Sequence, residues 1–216
     1  GKMLSFTSSL SSDSDALAIF VNEKHAYKDK KGVLSKSLVQ KINSYIGTLK
    51  NKKKNEEIIS FDISDKQKCL IIKVKNKYES YFPQECGGRF FSYLKQIKDL
   101  NKIDLYVDSL NFEKQKLVSF FSEFILGLNL KSYTFNKYKT TNKEQINKKI
   151  VFKIVTFNKE KLQKEYKYYD AIKEGVFLSR DLVSEPPNVL NPKKYTEEIK
   201  KLSKLGLKIE ILNEAK

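Results

Sequence analysis

The spacing of hydrophobic residues along the chain switches repeatedly between two periods. Short apolar runs predict buried strands, and apolar residues that recur every three or four positions predict helices. The predicted strands are Leu4–Phe6, Ala16–Val21, Ile58–Ile63, Cys69–Val74, Ile103–Val107 and Ile150–Phe157. The first three predicted helices centre on Leu34–Ile46, Gln84–Ile97 and Leu117–Leu128. This order indicates an α/β fold, a mixed sheet with helices on both faces.

Some predictions concern the ends of these elements. Ser35 or Ser37 is a suitable residue to begin the first helix. Tyr45–Leu49 is predicted to change from helix to strand, whereas Tyr78–Pro83 and Tyr133–Tyr138 are predicted to be loops that carry aromatic residues.

A second unit is predicted from Lys159 onward. Apolar spacing predicts a helix over Lys159–Ser184, about 37 Å long at 1.5 Å per residue. The prolines of the segment Arg180–Asn188 then end it, because proline lacks the backbone donor that a helix needs. A further helix from Pro192 and a strand over Leu207–Leu212 follow.

One helix and one strand do not complete a sheet. We therefore expect a long linker helix and then an incomplete second α/β domain. With Met3 as the expected native start, the predicted boundaries are 3–158 for the first domain, 159–191 for the helix and joint, and 192–216 for the truncated domain.

Composition restricts the function classes. With 40% hydrophobic and 12% aromatic residues, the chain can build a core, so global disorder is not expected. The longest apolar run, Ala16–Val21, is too short for a bilayer span, and no signal peptide opens the chain. A cytoplasmic protein without a membrane partner is predicted.

The net charge of +16 suggests nucleic acid as a partner. Only Arg89 and Arg180 are arginines, however, and arginine is the residue best suited to bidentate phosphate and base contacts. The lysines are also spread along the chain, apart from Lys52–Lys54. A basic nucleic-acid-binding module is therefore an alternative that we do not favour.

Residues typical of catalysis are scarce. His25 is the only histidine and lies in a predicted loop, which argues against Ser/His/Asp and Cys/His catalysis. Cys69 and Cys86 lack the spacing of metal ligands; Cys69 is predicted to be a core thiol, and one disulfide stays open. Asp104 and Asp108 lie at opposite ends of an extended segment and are not expected to share a metal.

Gly87-Gly88 at a helix start has two interpretations. Glycines there cradle phosphate in some proteins, but the full glycine fingerprint is absent. Close helix packing explains the pair more simply. We therefore predict no catalytic, metal or cofactor residues within this chain.

The segment Arg180-Asp181-Leu182-Val183-Ser184-Glu185-Pro186-Pro187-Asn188 resembles the interdomain linker of the leucyl (cytosol) aminopeptidase family. Ser184 stands where asparagine is usual. Tyr133–Thr140 is similar to a Tyr-x-Phe-x-Lys-Tyr-Lys segment of bacterial members, and Gly206–Leu212 is similar to the family's first strand beyond the joint. The resemblance extends from about Gly87 onward.

The resemblance implies an N-terminal domain similar to a macro domain, followed by a catalytic domain with two divalent metals, Mn or Zn. These would hydrolyse the bond after the N-terminal residue of a peptide substrate. The family's metal ligands and catalytic residues lie beyond a point matching Lys216, so this chain alone is expected to be inactive. The expected role is assembly of a hexamer and control of access. A macro-type nucleotide-sugar domain is a second alternative, by fold analogy.

Overall fold

A computed structural model describes residues 3–22, 26–51, 57–137, 149–183 and 197. The chain forms two compact units. The described residues of the first lie within Gly1–Tyr78, Tyr93–Val118 and Glu144–Glu160. Those of the second lie within Glu79–Ser92, Ser119–Lys143 and Lys161–Lys216. The predicted boundaries at 158/159 and 191/192 stay a prediction.

The first unit contains a six-stranded mixed sheet. Its strands are β1 Leu4–Thr7, β2 Ala16–Asn22, β3 Ile58–Asp62, β4 Lys68–Val74, β5 Lys102–Tyr106 and β6 Val151–Val155. The order across the sheet is β1-β6-β5-β2-β4-β3. All neighbouring pairs are parallel except β3 and β4, which are antiparallel. The predicted mixed α/β sheet is confirmed.

The first helix, α1 (Lys36–Asn51), packs on one face of this sheet. Ile42 and Ile46 belong to one buried cluster with Leu17 and Ile19 of β2, among others. The alternate residues of β2, including Phe20, are also buried, so this central strand is covered on both faces. Such burial explains why β2 is an uninterrupted apolar run.

The start of α1 agrees with the prediction, but the predicted change to a strand is wrong. The Ser35 Oγ accepts a hydrogen bond from the Leu38 N–H at 3.2 Å, as an N-cap does. The helix then continues through Tyr45 and ends at Asn51. Ile46 is buried four residues after Ile42, so the helical spacing extends through the segment.

The second unit is helical and contains most of α2 (Phe82–Lys95), α3 (Lys114–Lys137) and α4 (Lys159–Val183). Helices α2 and α3 approach each other at their glycines. A Cβ built on Gly87 would lie 2.0 Å from the carbonyl oxygen of Phe124, and one on Gly127 would lie 2.0 Å from that of Gln84. No side chain fits at these distances, so close packing explains Gly87, as predicted.

Two predicted loops are partly helical. Helix α2 begins at Phe82, so Pro83 lies in its first turn, where the missing N–H has no helical acceptor to lose. Helix α3 continues to Lys137. Phe135 on this last part of α3 contacts the ring of Phe91 edge-on, with centroids 6.2 Å apart. Tertiary packing therefore extends α3 through a segment with weak helical preference.

The predicted helix is confirmed as α4 over Lys159–Val183, and its role as a linker between domains stays a prediction. The rest of the joint, from Ser184 to Asn188, and the predicted elements over 192–216, apart from Glu197, lie outside the described residues. None of the helices in the described ranges is long and apolar enough to cross a bilayer.

Candidate ligand cleft

A cleft of about 510 Å³ lies in the first unit, at the edge of the sheet where the parallel strands end. Segments that follow three neighbouring strands, β2, β4 and β5, form its wall. The lining residues are Val21, Asn22, Ala26, Tyr27, Lys28, Lys30, Asn76, Ser109 and Asn111. Its volume lies within the range of small-molecule sites, about 300–1,000 Å³.

The segment after β2 is held to α1 by an asparagine. The Asn43 Oδ1 accepts a hydrogen bond from the Tyr27 N–H at 2.7 Å, and its Nδ2 donates to the Tyr27 carbonyl at 3.1 Å. Asn43 therefore satisfies both backbone groups of Tyr27, whose ring is buried. This pairing holds the cleft wall in one position.

Asp29 makes a second attachment of the same segment. Its carboxylate accepts hydrogen bonds from the Leu34 N–H at 2.6 Å and from the Tyr106 hydroxyl at 3.1 Å. Nearby, Gly32 has a φ of +64°, a left-handed conformation that glycine adopts without strain. The residues 26–34 are thus tied to the end of β5.

The segment after β5 is a short 3₁₀ helix, Val107–Ser109. The buried Ser109 Oγ donates to the Tyr106 carbonyl at 2.5 Å and accepts from the Phe20 N–H at 2.8 Å. Asp108 accepts from the Thr156 hydroxyl at 2.8 Å and from the Phe157 N–H at 2.7 Å. These bonds connect the ends of β2, β5 and β6.

Lys116 attaches the segment after β4. Its Nζ donates to the Asn76 carbonyl at 2.9 Å and lies 4.1 Å from the centroid of the Phe112 ring. Cation–π contact of this kind is worth about 0.5–2 kcal/mol. Three sides of the cleft are therefore held by named contacts.

The cleft wall is positively charged. Lys28 and Lys30 both line it and are exposed, and the described lining residues contain no carboxylate. Burial, followed by the charge of Asp29, raises the pKa of the Tyr27 and Tyr106 hydroxyls above the usual tyrosine range. Both tyrosines stay neutral near neutral pH and add no negative charge.

The aspartates considered from the sequence take structural positions. Asp104 is 1% exposed, and its Oδ2 accepts a hydrogen bond from the Ser11 N–H at 2.7 Å. Asp108 has the separate partners given above. In the described part of the chain, no group of three or more His, Cys, Asp or Glu side chains is placed to hold a metal ion.

The remaining candidates are also accounted for. Cys69 and Cys86 are buried and are not joined in a disulfide, and Cys69 is the core thiol that was predicted. Gly87 and Gly88 lie within α2 rather than at its first residue. His25 lies outside the described residues.

The cleft was not predicted from the sequence. Its residues are distant along the chain, and each is a common loop residue. One available signal was that polar residues, Asn22 and Asp108, directly follow apolar strands of a parallel sheet, because ligands bind beyond the carboxyl ends of such strands.

Curated proteins match the chain in sequence, although no family model matches it. The probable cytosol aminopeptidase of Phytoplasma mali is 38% identical over 135 residues, covering 61% of this chain and 26% of that protein. The corresponding protein of Phytoplasma australiense is 36% identical over 149 residues, covering 67% and 29%. That of Rhizobium leguminosarum is 37% identical over 122 residues, covering 55% and 24%.

This chain is related to the N-terminal region of the cytosol aminopeptidases. The resemblance inferred from the joint is thereby confirmed. The chain spans about a quarter of the length of these aminopeptidases.

The fold likeness extends further than the sequence match. A mutant of tomato leucine aminopeptidase aligns with a TM-score of 0.56 and 18% identity, covering 94% of this chain and 42% of that one. At this identity the alignment shows a shared fold. The macrodomain of Thermus aquaticus DarG aligns with a TM-score of 0.48, which is too low to decide the predicted macro-domain likeness.

Proposed function

We propose that this chain is the N-terminal, non-catalytic portion of a metal-dependent cytoplasmic aminopeptidase that removes N-terminal residues from peptides. The observation that carries the proposal is the match at 34–38% identity to proteins named probable cytosol aminopeptidase. The alignment covers 24–29% of those proteins, which leaves most of each one for other parts of the enzyme.

The proposal assigns the metals to residues other than those described here. The described residues do not fit a pair of divalent ions, since they include no cluster of three candidate ligands. Two Mn or Zn ions would activate water for peptide hydrolysis. We assign no catalytic step to the residues of this chain.

The proposed role of the chain is to support assembly of a hexamer and to limit access to the catalytic sites. It is supported by the sequence relationship and by the shared fold. A nucleic-acid partner stays an unfavoured alternative, supported by the net charge of +16.

A chimera tests the proposed role. In the aminopeptidase of Phytoplasma mali, the region that aligns with this chain would be replaced by the matching residues of this chain. We expect the chimera to keep leucine-p-nitroanilide hydrolysis and the oligomeric mass of the parent, measured by light scattering. A folded chimera that assembles differently or has lost hydrolysis would contradict the proposal.

The isolated chain tests the expected lack of activity. With Mn²⁺ or Zn²⁺ added, the purified 216-residue chain is expected to release no p-nitroaniline above the metal-only blank. The intact Phytoplasma mali protein is the positive control. Metal-dependent release by the isolated chain would overturn the assignment of the catalytic residues to other parts of the enzyme.

A further inference from the structure

The cleft lies at the point of the sheet where ligands are expected on topological grounds. After β2, the chain adds β4 on one side of that strand and then β5 on the other. The direction in which strands are added therefore reverses around β2. In open α/β sheets, ligands bind beyond the carboxyl ends of the strands at such a reversal. Asn22, Asn76 and Ser109 follow or end these three strands and line the cleft.

Two lining side chains have an unused hydrogen-bonding atom. The Oδ1 of Asn22 and the hydroxyl of Tyr27 are buried and have no hydrogen-bond partner among the described residues. Of the two, the Asn22 Oδ1 can only accept. Leaving a buried acceptor unpaired costs about 1–3 kcal/mol. A ligand that donates an N–H or O–H bond would remove this cost, so the atom favours a donor-bearing ligand.

The positive charges of the cleft wall indicate that the ligand also carries a negatively charged group. Lys28 and Lys30 both line the cleft, and the described lining residues include no carboxylate. The carboxylate of Asp29, between the two lysines, accepts from the Leu34 N–H and the Tyr106 hydroxyl. Two lysines on one wall complement a group with two negative charges, and lysine is a common point-charge binder of phosphate. A phosphate monoester carries the negative charge that complements these two lysines.

A second cleft, at the opposite edge of the sheet, gives a contrast. It is lined by the lysines Lys66, Lys68 and Lys98 and also by the aspartates Asp15, Asp62, Asp65 and Asp99. Its four aspartates more than offset its three lysines, and Lys68 and Asp62 pair at 2.8 Å. Among the described lining residues, lysines without carboxylates therefore characterise the first cleft and not the second.

We propose that the cleft at the carboxyl edge binds a small phosphate monoester that carries hydroxyl or amino donors. Lys28 and Lys30 hold the phosphate, and the Asn22 Oδ1 accepts a bond from the donor. The contacts of Asn43, Asp29 and Lys116 hold the surrounding segments in place before the ligand arrives. This inference concerns binding alone and does not depend on the proposed aminopeptidase function.

Titration of the full chain by calorimetry and by two-dimensional NMR tests the proposal. The probes are ribose 5-phosphate, inorganic phosphate and ribose. We expect ribose 5-phosphate to bind at least about tenfold more tightly than either other probe, because only it makes both kinds of contact. The Asn22 side-chain amide signals are expected to shift.

Variants separate the two contacts. The double variant Lys28→Gln/Lys30→Gln is expected to weaken ribose 5-phosphate binding by about tenfold or more, the effect of losing charge-assisted hydrogen bonds. Asn22→Ala is expected to weaken ribose 5-phosphate without weakening inorganic phosphate. Lys66→Gln, at the opposite edge, is the matched charge control and is expected to bind as the parent does. Circular dichroism verifies that each variant is folded.

Three results would overturn the proposal. The first is no binding of ribose 5-phosphate at millimolar concentration, and the second is equal loss of binding in the Lys66→Gln control. The third is equal affinity for inorganic phosphate and the ester, which would remove the role of Asn22. Aminopeptidase activity plays no part in these measurements, so failure here is distinguishable from failure of the proposed function.

Discussion

Gly87→Ala tests the close approach of α2 and α3. The added methyl carbon would lie 2.0 Å from the Phe124 carbonyl oxygen and 2.9 Å from the Leu128 nitrogen. Both contacts are to backbone, so neither helix relieves them by rotating a side chain. The neighbouring Gly88 is the matched control, because the atoms nearest to its Cβ position are 3.9 Å away.

The comparison of the two variants isolates the steric effect. Alanine is preferred over glycine in a helix by about 1 kcal/mol, and this gain applies equally at both positions. Overpacking costs about 1–3 kcal/mol and more in severe cases. We therefore expect Gly87→Ala to be less stable than Gly88→Ala by about 3 kcal/mol, since a 2.0 Å contact with backbone is severe.

Thermal unfolding followed by far-ultraviolet circular dichroism measures the difference. For a chain of this size, about 3 kcal/mol corresponds to a difference in Tm of about 6–12 °C. Gly88→Ala is expected to unfold at or slightly above the temperature of the parent. Equal Tm values for Gly87→Ala and Gly88→Ala would refute the argument, because the two helices would then have room for the methyl group.

Three further predictions concern the first unit. Ser109→Ala leaves the buried Phe20 N–H without its acceptor and is expected to cost about 1–3 kcal/mol in urea unfolding, whereas Ser109→Thr keeps the hydroxyl and is expected to lose less. Burial raises the pKa of the Asp104 carboxyl, so the folded chain binds the carboxyl proton more tightly than the unfolded chain does. The stability that this proton contributes is fully present below the unfolded pKa of about 3.9, and it is lost as the pH rises through the folded pKa. Asp104→Asn, which keeps an acceptor for the Ser11 N–H, is expected to flatten this part of the Tm–pH curve, and an unchanged slope would contradict the assignment. Burial also raises the pKa of Cys69 to about 12. The thiol of the native chain is therefore expected to resist a disulfide reagent at pH 8 until denaturant is added. Rapid labelling of Cys69 in the native chain, detected by mass spectrometry, would be inconsistent with its burial.

The mixed α/β sheet could be predicted from the sequence because its central strands are covered on both faces. Ala16–Asn22 and Lys68–Val74 are nearly continuous apolar runs, since all of their side chains are buried except Asn22, Lys68 and Lys73. Helix α4 was also predicted closely, because its apolar residues keep one spacing until the prolines. These features are local along the chain, so spacing alone reports them.

The errors arose where packing outweighs local preference. Tyr133–Lys137 contains aromatic and β-branched residues, which are weak helix formers, yet this segment belongs to α3. Phe135 has a partner in Phe91, which is distant along the chain. Spacing within a short segment contains no information about such a partner, and the segment was therefore predicted to be a loop.

By itself, the sequence determined the mixed α/β character of the chain, the long helix α4 and the relationship to the aminopeptidases. Each of these depends on spacing or on one continuous segment. The tertiary structure alone decided the strand order and the cleft. Strand order depends on which distant strands pair, and it brings Asn22, Asn76 and Ser109 to one edge although more than fifty residues separate the first two. Helix packing placed Gly87, but not Gly88, in close contact with the α3 backbone at Phe124, which decided between the two interpretations for Gly87.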